Sequence, residues 1–274
     1  RAGKHALERA GVRPEAVDLI IMATVTPDML VPSTAALVQS ELGASRCWGF
    51  DLNGGCTGFL CALATGAQFV ESGRHRNVLV IGADKMSAII DYEDRNTCVI
   101  FGDGGGAVLL GPAEEGETGI DDYELHLDGA GADYLYLTGG GSLHPASHGT
   151  VEKKMHYVHQ DGKVVFKQAI SGMAEVSGRL LARNGISPDE IKLLIPHQAN
   201  YRIIDSVARK LNLKPEQVMV NIQKYGNTTA ATIPMAMSEA WQEGKLDPGD
   251  RVILSAFGAG FTWGSLLMTW TMEK

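Results

Sequence analysis

Three short stretches of the chain bring together residue types that suit nucleophilic chemistry. Cys56 stands in Gly55-Cys56-Thr57-Gly58-Phe59, His197 in Pro196-His197-Gln198-Ala199-Asn200, and Asn227 in Tyr225-Gly226-Asn227-Thr228-Thr229. Cys56 follows a glycine and opens a run whose apolar residues, Phe59, Leu60, Leu63 and Phe69, have helical spacing. At such a helix start the dipole favours thiolate over thiol, which predicts a nucleophilic cysteine. His197 closes the apolar strand 192–195, and active-site residues of layered α/β proteins gather at strand ends. Asn227 opens a second helical run through Ile233, Met237 and Trp241. Taken singly, each residue has a plainer reading: a small buried thiol in a glycine-tight turn, a structural histidine, an asparagine N-cap. Only the set of three favours chemistry.

The elements that must position these residues are visible as a repeat. Residues 10–21 resemble residues 184–195 at a constant offset of 174, each reading as a helix stopped by glycine, a turn with proline and a buried strand. Residues 69–82 resemble residues 240–254 in the same order of helix, glycine stop and strand. Extended back through the helices by the 171-residue spacing of Gly73 and Gly244, this second pair sets Cys56 opposite Asn227. Two similar α/β halves about a pseudo-twofold axis follow, 1–117 and 118–274, with the link in the Pro/Glu/Gly-rich stretch 111–118. Continuous apolar strands alternating with helical patterns imply sheets covered on both faces. Residues 129–162, rich in glycine and histidine and without periodicity, predict long surface loops near a site.

Composition narrows the field. The 274 residues suffice for two packed halves, and the net charge of −8 argues against a general nucleic-acid binder. Glycine is high, 33 of 274 or about 12% against a usual share of roughly 7%. Four cysteines in no disulfide or zinc pattern suggest a reducing, cytoplasmic setting, and no signal peptide is visible. Residues 252–272 lack charge over a membrane-spanning length, but three glycines and several Ser and Thr make them too polar; 257–261 reads as a turn between buried strands. Residues 102–107 match a dinucleotide-binding string yet continue as a strand ending at Pro112, with no helix to receive a pyrophosphate. His144, His148, His156 and His159 lie in a loop with no ligand spacing, and no metal is expected. The order Cys, His, Asn occurs in papain-like proteases too, but their local cysteine signature is missing.

Together with Phe257-Gly258-Ala259-Gly260-Phe261-Thr262-Trp263-Gly264, the three motifs closely resemble the β-ketoacyl-acyl carrier protein synthase III family of the thiolase superfamily, over residues 2–269. The resemblance implies an α/β, thiolase-like five-layer αβαβα fold from two pseudo-symmetric halves, a homodimer, and a chain lacking the family's first several tens of residues. It implies no cofactor and no membrane, with acyl-CoA and malonyl-acyl carrier protein as substrates. Cys56 would take the acyl group, backbone N–H groups of Cys56 and Ala259 would form the oxyanion hole, and His197 and Asn227 would stabilise the enolate. Arg95 would stack on the CoA adenine, while Phe101, Gly162, Phe166 and Asn200 would line the pantetheine tunnel. Arg202, Arg209 and Lys210, at i, i+7 and i+8, would receive the acidic carrier protein, although their spacing fits a solvated helix face as well. Residues 26–32 would shape the acyl pocket, in the same or the neighbouring subunit. The chain departs from the family in Ala259, where a middle glycine is common, which is tolerable at negative φ, and in Asn53-Gly54-Gly55, where small alanines are usual. A hydroxymethylglutaryl-CoA synthase, a plant-type polyketide synthase, another ketosynthase or acyltransferase of secondary metabolism, or a non-catalytic carrier-binding relative remain alternatives.

Overall fold

Residues 19–23, Leu-Ile-Ile-Met-Ala, are buried at every position, the pattern of a strand covered on both faces (β1, Leu19–Ala23). In the computed structural model, which describes residues 1–113 and 119–273, β1 lies between two parallel neighbours, β2 (Trp48–Leu52) and β3 (Val78–Asp84). Antiparallel β4 (Gly104–Leu110) completes a first sheet of order β2-β1-β3-β4. The residues expected to mimic a dinucleotide motif thus run into a strand.

A second sheet uses β5 (Ile120–Leu127), β8 (Leu193–Pro196), β9 (Arg251–Gly258) and β10 (Thr262–Thr269) in the order β5-β10-β9-β8, while β6 (Leu135–Tyr136) and β7 (His159–Gln160) form a small ribbon outside it. The long uncharged stretch 252–272 is therefore a hairpin, and no described helix is long and apolar enough to cross a membrane.

Helices fill the layers around the sheets. Helices α1 (Ala2–Ala10) and α2 (Thr34–Leu42) cover the outer face of the first sheet, and α3 (Gly58–Glu71) its inner face. The short α4 (His148–Glu152) belongs to the loop region 129–162. Helices α5 (Gly162–Arg183) and α6 (Tyr201–Lys210) cover the outer face of the second sheet. After the single turn α7 (Ile222–Tyr225), α8 (Thr232–Gln242) joins α3 between the sheets. The result is the expected αβαβα order. Its central layer is one apolar core, in which Phe59 and Leu60 of α3 and Ile233 and Met237 of α8 meet side chains of both sheets.

The repeat is borne out at the offset of 174. Leu19 pairs with Val78, and Leu193 with Val252, so the strand register of one half is reproduced in the other. The 3₁₀ turns Gly55–Thr57 and Thr229–Ala231, and the starts of α3 and α8 behind them, keep the same offset. Helix α8 is three residues shorter than α3, 11 against 14, which produces the 171-residue spacing of the glycine stops. The expected opposition of Cys56 and Asn227 is corrected accordingly. The counterpart of Asn227 is Asn53, and that of Cys56 is Ala230. The strands of the first sheet precede residue 111 and those of the second follow residue 119, while the boundary expected between 117 and 118 lies outside the described residues.

Phe59 is fully buried between the sheets, where it packs on β3 beside Gly82. Phe59→Ala is expected to destabilise the fold by about 3–5 kcal/mol, read as a lower urea midpoint at an unchanged m-value.

Candidate active site

The turn Gly55–Thr57 carries Cys56 directly into α3, and Gly55 adopts a left-handed φ of 58° that favours glycine. The end of β9 from the other half presses on this turn. A Cβ on Gly258 would lie 2.7 Å from the Cys56 amide nitrogen, so only glycine permits the approach. Across the same contact, a Cβ on Gly55 would lie 3.3 Å from the Ala259 nitrogen. The hydroxyls of Thr57 and Thr262 hydrogen-bond to each other, and each also reaches a backbone carbonyl, Thr57 to Gly54 at 2.9 Å and Thr262 to Ala259 at 3.0 Å. Ala259 has no positive φ, so alanine is accommodated where glycine is common. Neither the Cys56 nor the Ala259 N–H donates to the backbone of another residue in a turn or cap among the described residues.

His197 follows β8, its N–H donating to the Ser255 carbonyl at 2.8 Å. The ring is buried. Its Nδ1 lies 2.7 Å from Thr232 Oγ1, which is also 3.0 Å from the Thr229 carbonyl, and its Nε2 has no partner among the described residues. The one proton of Thr232 thus has two acceptors. Donated to Nδ1, it leaves the ring proton on Nε2; donated to the carbonyl, it leaves Nε2 a bare lone pair. Burial pushes the imidazole down to about 3, so His197 is neutral near pH 7. Gln198, wholly buried, donates to the Pro196 and Met219 carbonyls and accepts from the Asn221 and Ile222 amides, fixing the strand end on which His197 sits.

Asn227 Oδ1 accepts from the Thr229 amide at 2.9 Å, which turns its Nδ2 donors away from that bond. In the first half, Asn53 Oδ1 accepts from Gly55 at 3.4 Å. The two turns are equivalent, with φ of 58° at Gly55 and 53° at Thr229. A β-branched residue there costs on the order of 1–3 kcal/mol of strain. Thr229 is buried, and its hydroxyl has no partner among the described residues.

Electrostatics correct the expectation of a resting thiolate. Burial, and then the nearby charge of Asp84, push the Cys56 thiol up to about 12, and the backbone hydrogen bond at Cys56 opposes this only in part. A helix start is worth at most about 2 kcal/mol, less than this desolvation. Thiol and imidazole are therefore both neutral at rest. Asp84 ends β3, and one of its oxygens accepts from Thr24 Oγ1, the Val25 amide, and both the amide and hydroxyl of Thr26. The other accepts from the Ala230 amide, so this buried carboxylate ties the loop after β1 to the turn before α8.

Cys56, His197, Asn227 and Ala259 line one cavity of about 610 Å³. Phe101, Gly162, Phe166 and Asn200 line it as well, Asn200 capping α6 through the Arg202 amide at 2.9 Å. The loop region 129–162 supplies Leu135, Tyr136, Leu137 and Val158, as its lack of periodicity predicts. Among the described residues, no Asp, Glu, Lys or Arg lies on the wall. Arg95 is exposed and is not brought to the wall, although its neighbours Asp94 and Asn96 line the adjoining cleft. Arg202 stacks over Phe166 at 5.2 Å, Arg209 pairs with Asp205 at 2.7 Å, and Lys210 is exposed, so the expected basic face is partly neutralised within its own helix. Asp84, Thr229 and Thr232 escaped the sequence reading. Thr229 ends the stretch 225–229, in which Asn227 alone carries the expected chemistry, Thr232 lies in the helical run behind it, and Asp84 has no local signal.

Comparison with known proteins is consistent with this geometry. Residues 50–129 match the family model for 3-oxoacyl-[acyl-carrier-protein] synthase III, and residues 181–270 match that for its C-terminal part. The β-ketoacyl-[acyl-carrier-protein] synthase III of Koribacter versatilis is 53% identical over 270 residues, 98% of this chain and 81% of the relative. That of Chlorobium phaeovibrioides is 50% identical over 268 residues, 97% and 82% respectively. The crystal structure of the Aquifex aeolicus 3-oxoacyl-[acyl-carrier-protein] synthase III superposes with a TM-score of 0.90 at 44% identity, over 98% of this chain and 82% of that one.

A thiol raised to about 12 loses reactivity as pH falls through the whole neutral range. Iodoacetamide labelling of Cys56 is expected to rise about tenfold per pH unit from roughly pH 6 to 9.5 without levelling. A plateau above neutral pH would reveal a thiolate–imidazolium pair instead.

Proposed function

The chain belongs to the 3-oxoacyl-[acyl-carrier-protein] synthase III family, which catalyses the initiating condensation of fatty acid synthesis, and from that premise we propose how its residues divide the reaction. The observation that carries the proposal is the meeting of Cys56, His197 and Asn227 in one cavity beside the N–H groups of Cys56 and Ala259, which donate to no other residue's backbone in a turn or cap among the described residues.

Cys56 attacks the thioester carbonyl of an acyl-CoA. The Cys56 sulfur–acyl bond forms, the bond to the CoA sulfur breaks, and the thiol proton ends on departing CoA. The N–H groups of Cys56 and Ala259 hold the tetrahedral oxyanion; removing one such donor from a dry site typically costs about 3 kcal/mol. Malonyl-acyl carrier protein then enters. Its carboxylate leaves as CO₂, and the electron pair of the broken carbon–carbon bond becomes an enolate. His197, as the Nε2–H tautomer held by Thr232, and the Asn227 amide donate to the enolate oxygen. Attack on the acyl thioester forms the new carbon–carbon bond and releases Cys56 as thiolate, which regains a proton from solvent. A neutral His197 suffices, in keeping with its burial. No cofactor takes part in this scheme.

Phe101, Gly162, Phe166 and Asn200, which line the cavity, serve as the wall of the pantetheine tunnel, and Arg95 receives the adenine. Arg202, Arg209 and Lys210 receive the acidic carrier protein. Two copies pair through the open edge of β2, where Trp48 is half exposed. Four free cysteines fit a cytoplasmic enzyme. The halves 1–117 and 118–274 remain the natural division of the chain.

Incubation with an acyl-CoA is expected to add one acyl mass to Cys56, and Cys56→Ala to abolish the adduct; absence of an adduct across primers from acetyl to decanoyl would sink the nucleophile assignment. Asn227→Ala is expected to retain acyl transfer and lose at least about a hundredfold in condensation, measured as separate half-reactions. Equal losses in both would contradict the division of roles.

A further inference from the structure

The pseudo-symmetry isolates one residue that the scheme above leaves unused. At the offset of 174 the turns Asn53–Gly55 and Asn227–Thr229 share a left-handed third residue and the same side-chain bond from asparagine to its amide. The first half places glycine at this third position. The second half places a β-branched threonine there, in a conformation that its side chain disfavours. The backbone needs no side chain at this point, because the equivalent turn is made without one. What Thr229 adds is a hydroxyl that is buried, on the cavity wall and without a partner among the described residues.

The chemistry of the malonyl group indicates what the hydroxyl meets. A thioester oxygen accepts two hydrogen bonds, and His197 and Asn227 supply both. The acyl primer offers no polar atom beyond its own thioester, whose oxygen lies in the pair of N–H groups at Cys56 and Ala259. The remaining polar group is the malonyl carboxylate, and among the described residues the wall carries no Lys or Arg to receive it. We propose that the Thr229 hydroxyl donates to the malonyl carboxylate and selects malonyl over unactivated thioesters. The inference rests on the condensing role proposed above. One neutral donor orients the carboxylate without compensating its full charge, so the gain on its departure as CO₂ is preserved. An Arg or Lys there would hold the charge in place.

Thr229→Val keeps the branched shape and removes the hydroxyl, whereas Thr229→Ser keeps the hydroxyl. At saturating acyl-CoA, the KM for malonyl-carrier protein is expected to rise about tenfold or more in the valine variant and to stay within about threefold of the parent in the serine variant. Carrier protein bearing only its phosphopantetheine serves as the competitive probe without a carboxylate. Its inhibition constant is expected to change less than about twofold in Thr229→Val. An unchanged malonyl KM, a parallel loss of affinity for the bare carrier protein, or a serine variant as impaired as valine would each overturn the assignment. Failure of the parent enzyme to acylate Cys56 at all would instead overturn the functional reading on which it rests.

Discussion

The approach of the Gly258 backbone to the Cys56 amide is the contact on which the site depends. The turn before α3 belongs to one half and the β9–β10 hairpin to the other, and the two meet so closely that a single Cβ would separate them. This contact brings the N–H groups of Cys56 and Ala259 onto one cavity. It also keeps the thiol dry, and the Thr57–Thr262 hydroxyl pair closes the seam from the side. Loosening the seam would change donor geometry and the solvation of the nucleophile together.

Burial in an uncharged cavity then fixes the resting protonation states. Taking a thiolate and an imidazolium out of water costs more than their helix-start and hydrogen-bonding partners return, so both groups rest neutral. A neutral thiol is protected from adventitious electrophiles, and a neutral imidazole with one proton to place suits an enolate better than a full cation would. The same dryness strengthens each donor on a developing oxyanion. Asp84 belongs to this balance in two ways: its five hydrogen bonds join the loop after β1 to the turn before α8, and its charge disfavours a second anion at Cys56.

The two halves began from one plan and now do different work. Equivalent turns present Cys56 in one half, while the other presents Asn227 and Thr229, and the strand ends differ in that only β8 leads into a histidine. The glycine-to-threonine difference between positions 55 and 229 records this divergence: one turn keeps the residue its backbone prefers, and the other carries strain together with a hydroxyl.

Much of this was legible in the sequence because the signals are local. Burial on both faces wrote β1 and β8 as unbroken apolar runs, glycine stops marked the ends of α1, α3 and α8, and the 174-residue repeat announced two halves. The motifs around Cys56, His197 and Asn227 supplied the site. What only tertiary structure decided comes from atoms distant along the chain. Whether Cys56 is thiol or thiolate is set by desolvation and by Asp84 on another strand, and a local helix-start signal pointed the wrong way. The pairing of Asn227 with Asn53, rather than with Cys56, became visible once strand registers showed that α8 is three residues short. Thr229 looks like an ordinary cap residue in sequence; its left-handed backbone and unpartnered hydroxyl exist only once the second half has folded against the first.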